Sequence, residues 1–341
     1  MLRLRDFGQD NARGQVDFPK MARGGVDASF FALYIPASLQ GEDATAYALK
    51  LYDQTRRQVE DNPDKAAFAK SKVEVEKNKD NGLISVLLGI ENASAIQKDF
   101  HLLEDFWNKG VRYITLTHSA DNLVGDSCTG NGTWGGLSPF GKQLVREMND
   151  MGMLIDLAHS SDNTIKDVLD ITQRPVAYTH GCCRALCSHR RNLPDELIAG
   201  IAESGGVVGM SVYPCFLSDE FSEVLAASGL EDNEKTERDF IQDPGNPAKA
   251  KAWFAVQDAL AALPAPGVER VVEHILHAVE IAGEKHVGIG TDYDGIEVTA
   301  KGLEDVSKLS VLAAVLKEKG LREEAVSSIL WGNFLGLLPA F

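Results

Sequence analysis

Apolar residues in this chain come in short runs, and several of the runs stop on a polar side chain. The run 153–158 is followed by His159, and 175–179 by His180. Between them Ile165, Val168, Leu169 and Ile171 recur at helical spacing over 161–172. This predicts strand–His, helix, strand–His. The alternation extends in both directions. Strands are predicted at 27–35, 83–90, 111–117, 153–158, 175–179, 206–212 and 286–291. Helical patterns cover 43–77, 100–109, 140–151, 194–203, 267–281, 303–319 and 321–338, with Asn62-Pro63 as a break in the first. Residues 1–25 carry no convincing strand.

Strands in series with helical crossovers make a parallel sheet. A closed barrel of this kind needs about eight strands, one more than the pattern supplies, and the shortfall lies at the front. The expected fold is α/β, a TIM-type (β/α)8 barrel lacking its first strand in this chain. Either the barrel is open or the chain starts after that strand. Residues 1–341 read as a single barrel domain with a helical insertion at about 214–268, punctuated by Pro244, Pro247, Pro264 and Pro266. The insertion follows a strand, so it is expected either to rim the barrel mouth as a lid or to be a solvated helical decoration.

In parallel barrels the residues just past the strand ends form the active site. Here those positions hold Glu91, His118, His159, His180 and Asp292. Each alone has a plainer reading: a rim histidine, a helix-dipole partner for Glu91, a turn at Asp292, Asp294 and Gly295. Together they converge on one mouth. His159 and His180 supply two imidazole nitrogens to a divalent metal, with zinc the default. Glu91 supplies a carboxylate that can bind one metal or bridge two, making activated water available. Asp292 is the candidate proton carrier. Arg191 is either a bidentate clamp for a substrate carboxylate or half of a solvated basic pair with Arg190. His274 and His277, in the amphipathic stretch 267–281, read as outer-layer packing or surface groups. His101, His189 and His286 are left unassigned.

Composition narrows the partners. The 341 residues, 44% apolar, can bury a large core. The net charge of −16 argues against nucleic acid and anionic membrane surfaces. The cysteines (Cys128, Cys182, Cys183, Cys187, Cys215) are odd in number and three are clustered, which is no disulfide framework and lacks a second pair for a zinc knuckle. No apolar run approaches the roughly 18 residues of a transmembrane helix. The N-terminus has no apolar signal core, so the chain as written is expected to be cytoplasmic, and periplasmic or exported if an N-terminal segment is missing.

The segments 16–36 (VDFPKMARGGVDASFFALYIP), 87–91 (LLGIE), 113–119 (YITLTHS), 154–161 (LIDLAHSS), 180–196 (HGCCRALCSHRRNLPDE), 287–295 (VGIGTDYDG) and 302–308 (GLEDVSK) resemble, in order and spacing, the membrane (renal) dipeptidase family, peptidase family M19. The resemblance implies a (β/α)8 barrel with a binuclear zinc centre that hydrolyses dipeptides, including some with a C-terminal D-residue. It implies that Glu91 bridges the metals and that His159 and His180 hold the second one. It also implies that His118 contacts substrate and the tetrahedral oxygen, that Arg191 binds the substrate carboxylate, and that Asp292 assists proton transfer near the free amine. It suggests a homodimer. The family's His-x-Asp pair for the first metal has no counterpart before His101, so a late start is expected, and two, one or no zinc ions per chain. Two other readings are another metal-dependent amide or lactone hydrolase on the same barrel, and an inactive binding homologue.

Overall fold

The computed structural model describes residues 5–230, 233–243 and 245–340; residues 1–4 and Pro244 lie outside them. Among the described residues eight strands form one parallel sheet: β1 (Ala28–Tyr34), β2 (Ala66–Phe68), β3 (Ile84–Glu91), β4 (Val111–Thr115), β5 (Leu154–Asp156), β6 (Ala177–Gly181), β7 (Val207–Met210) and β8 (Val287–Ile289). The pairing path runs β1-β3-β4-β5-β6-β7-β8, and among the described residues β1 and β8 do not pair. All seven predicted strands are present. The curled sheet with helices between its strands is a TIM-type α/β fold short of one strand. β2 was not anticipated. It occupies the Asn62-Pro63 break in the predicted helix 43–77, which is two helices, Gly41–Glu60 and Lys72–Asp80. It pairs with Ile84–Val86 of β3. Residues 1–25, expected to be irregular, contain a helix at Phe18–Arg23, capped by the Asp17 carboxylate.

β3 is buried along its whole length, as expected for a parallel strand covered on both faces. Two crossover helices beside the site start on side-chain caps. Ser138 accepts from Gly141 and Ser161 from Thr164, which orients each following helix against the sheet. The helix after Ser138 ends on Gly152 at φ +81°, a left-handed cap. Away from the rim the sheet's concave face is apolar. Phe30, Tyr113, Leu154 and Ala177 pack with Phe334 and Leu337 from the C-terminal segment. Phe334 lies against β7 and β8, where a Cβ on Gly209 or Gly288 would come within 3.1 or 2.4 Å of its ring.

The gap between β1 and β8 is laced by the N-terminal segment. Phe7 packs on Phe18 and on Phe31 of β1, with ring centroids 6.0 and 5.8 Å apart. Gln15 N donates to Asp294 Oδ1 (2.8 Å), and Asp294 N donates to Gln15 Oε1 (2.6 Å). Gln15 Nε2 donates to the Ile296 carbonyl at 3.1 Å, and Arg5 is ion-paired with Asp294. Between β7 and the helix Val268–Ala282 lie the helices Pro214–Leu217, Asp219–Ser228, Glu234–Gln242 and Pro247–Ala261. The last of these meets the N-terminal segment, where Arg13 pairs with Asp258 at 3.0 Å and sits 4.4 Å over Phe254. Among the described residues no helix is long and apolar enough to cross a membrane.

Candidate metal centre

Glu91 is the last residue of β3, His118 follows β4, His159 follows β5, and His180 lies near the end of β6. Four adjacent strands thus bring four side chains to one rim. Glu91 Oε1 lies 3.0 Å from His159 Nε2, 3.5 Å from His180 Nε2 and 3.8 Å from His118 Nε2. His159 Nε2 and His180 Nε2 are 3.0 Å apart. Zinc–ligand bonds of about 2.0–2.2 Å at tetrahedral angles place neighbouring ligand atoms roughly 3.3–3.5 Å apart. The Glu91–His159–His180 triangle, with edges of 3.0, 3.5 and 3.0 Å, is close to one face of that tetrahedron. Glu91, His118 and His159 also offer ligand atoms within 4.8 Å of one another. His118 is the outer member, its ring 4.1 Å from that of His159 and 4.8 Å from Tyr34 of β1.

Burial holds His159 and His180 well below the ordinary imidazole pKa, and the Arg191 charge pushes the same way. Burial also lowers His118, against the raising effect of Glu91. The contacts to Glu91 are therefore made by neutral rings, the form that ligates metals. His159 has φ +66° and Asp292 φ +57°. Two candidate site residues in the left-handed region mark a locally strained rim, as is common where geometry serves function.

Arg191 is buried and is not part of a solvated pair. Its Nη1 donates to Tyr178 OH at 2.7 Å and its Nη2 to the His180 carbonyl at 3.1 Å. Tyr178 OH in turn donates to the Arg191 carbonyl at 2.5 Å. The guanidinium lies 5.3 Å from the ring centre of Phe216, in the first helix of the insertion. Its Nε is buried with no hydrogen-bond partner, as is His118 Nδ1. A buried cation held by neutral groups, with a donor to spare, suits an incoming anion.

Asp292 occupies the turn after β8, where Gly295 N donates to the Asp292 carbonyl at 3.0 Å. The turn reading is thus correct for the backbone. Its carboxyl is pushed well above the usual carboxylate range by burial and then by the charge of Glu91, with Arg191 opposing. Asp294 faces the other way, toward Gln15 and Arg5. His274 is fully buried: its Nδ1 accepts from Cys183 N at 3.1 Å and its Nε2 lies 3.2 Å from the Leu217 carbonyl. It packs in the helix layer and is not a surface group.

Sequence reasoning missed Asp156, Thr179 and Tyr178, all at or beside the rim. Asp156 had a signal: a carboxylate inside an apolar strand needs several donors. It has four. Tyr178 and Thr179 had none, because both types are ordinary in strands.

A carboxylate and imidazoles gathered at the strand ends of a parallel α/β barrel belong to the metal-dependent hydrolases. A family model described as membrane dipeptidase (peptidase family M19) matches residues 2–340, and the chain belongs to that family. The dipeptidase AclJ of Aspergillus oryzae is 33% identical over 338 residues, covering 96% of this chain and 70% of that protein. An uncharacterized dipeptidase of Schizosaccharomyces pombe is 30% identical over 347 residues, covering 98% and 75%. The crystal structure of the probable dipeptidase PvdM from Pseudomonas aeruginosa superposes with a TM-score of 0.82 at 25% identity, covering 97% of this chain and 91% of that one. A Rhodobacter sphaeroides metallopeptidase liganded with a phosphinate mimic of L-Ala-D-Ala gives 0.78 at 24% identity, covering 96% and 90%. The protein is a metallo-dipeptidase.

Proposed function

We propose that the protein hydrolyses dipeptides, including some with a C-terminal D-residue, with a zinc ion held by Glu91, His159 and His180. The observation that carries this reading is the triangle of one carboxylate oxygen and two neutral imidazole nitrogens at tetrahedral-edge spacing. The described residues supply ligands for one such ion, so one zinc per chain is the expected loading. A zinc ion bound there supplies a Lewis acid and lowers the pKa of water. The remaining work falls to the chain. Arg191 binds the substrate's terminal carboxylate and sets which end of the dipeptide enters first. His118, beside the ligand triangle, donates to the carbonyl oxygen as it gains charge. Asp292 takes the proton from the attacking water and passes it to the departing amine. The chain works as one barrel domain whose insertion at about 214–268 shapes the mouth from the Phe216 side. The family resemblance also supports a homodimer.

Elemental analysis of protein purified without chelators tests the metal. About one zinc per chain, with L-Ala-L-Ala and L-Ala-D-Ala hydrolysis lost on chelation and restored by zinc, is expected. Full activity in metal-free protein would overturn the reading. Activity restored by another divalent ion but not zinc would overturn the zinc assignment alone. Loss of L-Ala-D-Ala turnover only would remove the D-residue part.

A further inference from the structure

The Asp156 carboxylate at the end of β5 accepts four hydrogen bonds. Oδ1 receives Ala158 N at 3.1 Å and Thr179 N at 2.8 Å, and Oδ2 receives Thr115 Oγ1 at 2.6 Å and Thr179 Oγ1 at 2.8 Å. β5 and β6 pair in the ladder only at Asp156 and Ala177, so this side chain continues the joint where the backbones part. Thr179 is fixed on its other side too. Its carbonyl is packed so tightly against β7 and β8 that a Cβ on Gly209 or Gly290 would fall 2.1 or 1.7 Å from it. The Thr179 hydroxyl also lies 2.9 Å from His180 Nδ1.

Burial raises the Asp156 pKa, but donors from Ala158 N, Thr179 N and Thr115 Oγ1 oppose it and favour the charged form. A hydroxyl has one proton, and an ionised carboxylate only accepts. The Thr179 proton therefore goes to Asp156. The Thr179 oxygen is left to accept, so the His180 proton sits on Nδ1. Nε2 then carries a lone pair directed at the Glu91 oxygen and His159 Nε2, 3.5 and 3.0 Å away. We propose that Asp156 and Thr179 are positioning residues that lock His180 in its Nδ1-protonated tautomer and keep Nε2 free as a ligand atom. Partners behind a metal-binding histidine commonly serve in this way. The consequence for metal binding rests on the zinc reading above; the tautomer itself does not.

The test uses the full chain labelled with 15N-histidine, with His180→Gln to assign the ring. Two-bond 1H–15N correlation on metal-free protein at neutral pH reads the tautomer, and competition with a chromophoric chelator reads zinc affinity. Wild type is expected to show His180 protonated on Nδ1. Thr179→Val keeps the shape and removes the hydroxyl. It is expected to lose the single tautomer and to weaken zinc binding about 10- to 100-fold, with Thr179→Ser restoring both. Thr115→Val removes a bond to the same carboxylate without touching His180, and should leave the tautomer and, within about twofold, the affinity unchanged. An Nε2-protonated His180 in wild type would overturn the proposal. So would an unaltered tautomer in Thr179→Val, or equal zinc loss in Thr115→Val, which would mean a purely structural role. Wild type that binds no zinc would overturn the metal reading instead, while the metal-free spectrum still decides the tautomer.

Discussion

The arc from β3 to β6 and the seam between β8 and β1 are held together by different means. In the arc, backbone ladders run from strand to strand and buried side chains extend them to the rim. Asp156 joins β4, β5 and β6. Asn122 Nδ2 donates to Asn92 Oδ1 at 3.0 Å, and Asn92 Nδ2 to the Ile35 carbonyl at 3.0 Å, linking the ends of β4, β3 and β1. At the seam no strand ladder joins β1 to β8 among the described residues. There Gln15 and Arg5 reach Asp294 and Ile296 from a loop. The candidate metal ligands Glu91, His159 and His180 all come from the arc, and Asp292, the candidate proton carrier, comes from the seam. Ligand positions tolerate little error, whereas a proton carrier needs only to reach its partners. The division matches the stiffness each task demands.

The largest break should come from the arc. Glu91→Gln removes the anionic corner of the ligand triangle. It should abolish zinc retention on dialysis and lower kcat/KM by more than about a thousandfold. Retained zinc with near-normal turnover would mean the ligand set is wrong.

The helix Val268–Ala282, packed behind β7 and β8, should make the protein acid-sensitive. Burial first, against its backbone bond to Leu217, lowers the His274 pKa to about 4. The unfolded chain takes up this proton below about 6.5, while the folded protein stays neutral to about 4. Stability is therefore full above about pH 6.5 and falls as pH drops through that window, by about 3 kcal/mol in all for this one group. Urea unfolding of wild type against His274→Gln over that range should show a flatter profile in the variant; parallel profiles would assign the acid loss elsewhere.

The proposed carboxylate clamp, Arg191, lies in the loop after β6, just past the arc. Arg191→Ala should raise KM for dipeptides about 100-fold, the size of a buried charge-assisted contact, and spare kcat for substrates lacking a free carboxylate. Unchanged dipeptide kinetics would favour a different amide or lactone substrate. Tyr178→Phe removes the hydroxyl that holds the guanidinium and should raise KM by about fivefold to tenfold with zinc content intact.

The smallest effect belongs to the seam. Gln15→Ala loses its two side-chain bonds to the loop after β8, from Asp294 N and to the Ile296 carbonyl. It should cost about 1–2 kcal/mol in urea unfolding and change zinc affinity by less than about twofold. A zinc loss as large as that in an arc variant would mean that arc and seam move as one body.

Much of the arc was legible in the sequence. Runs such as 84–90 and 153–158 are apolar because both faces of a parallel strand are covered, and that need shows in composition. Glu91, His118, His159 and His180 stood out because a polar group directly after such a run falls on the rim. β2 escaped because three residues between two helices carry no period. The depth of His274 escaped because an amphipathic helix reports which residues face inward, not what covers them. Tyr178 escaped because a buried tyrosine in a strand looks like packing until its hydroxyl is seen against Arg191.

By itself the sequence determined the order of seven of the strands, the parallel α/β class, and which side chains stand at the strand ends. Those follow from local periodicity and from the rule that residues past parallel strands share one face. Tertiary structure alone decided the spacing of Glu91, His159 and His180, the burial of Arg191, the four bonds to Asp156 and the lacing of residues 5–17 onto the loop after β8. Nearly all of these depend on contacts between residues from 11 to 289 positions apart, such as His180 with Arg191 and Arg5 with Asp294. No local pattern encodes such distances, because they are set by how the sheet curls when its helices pack.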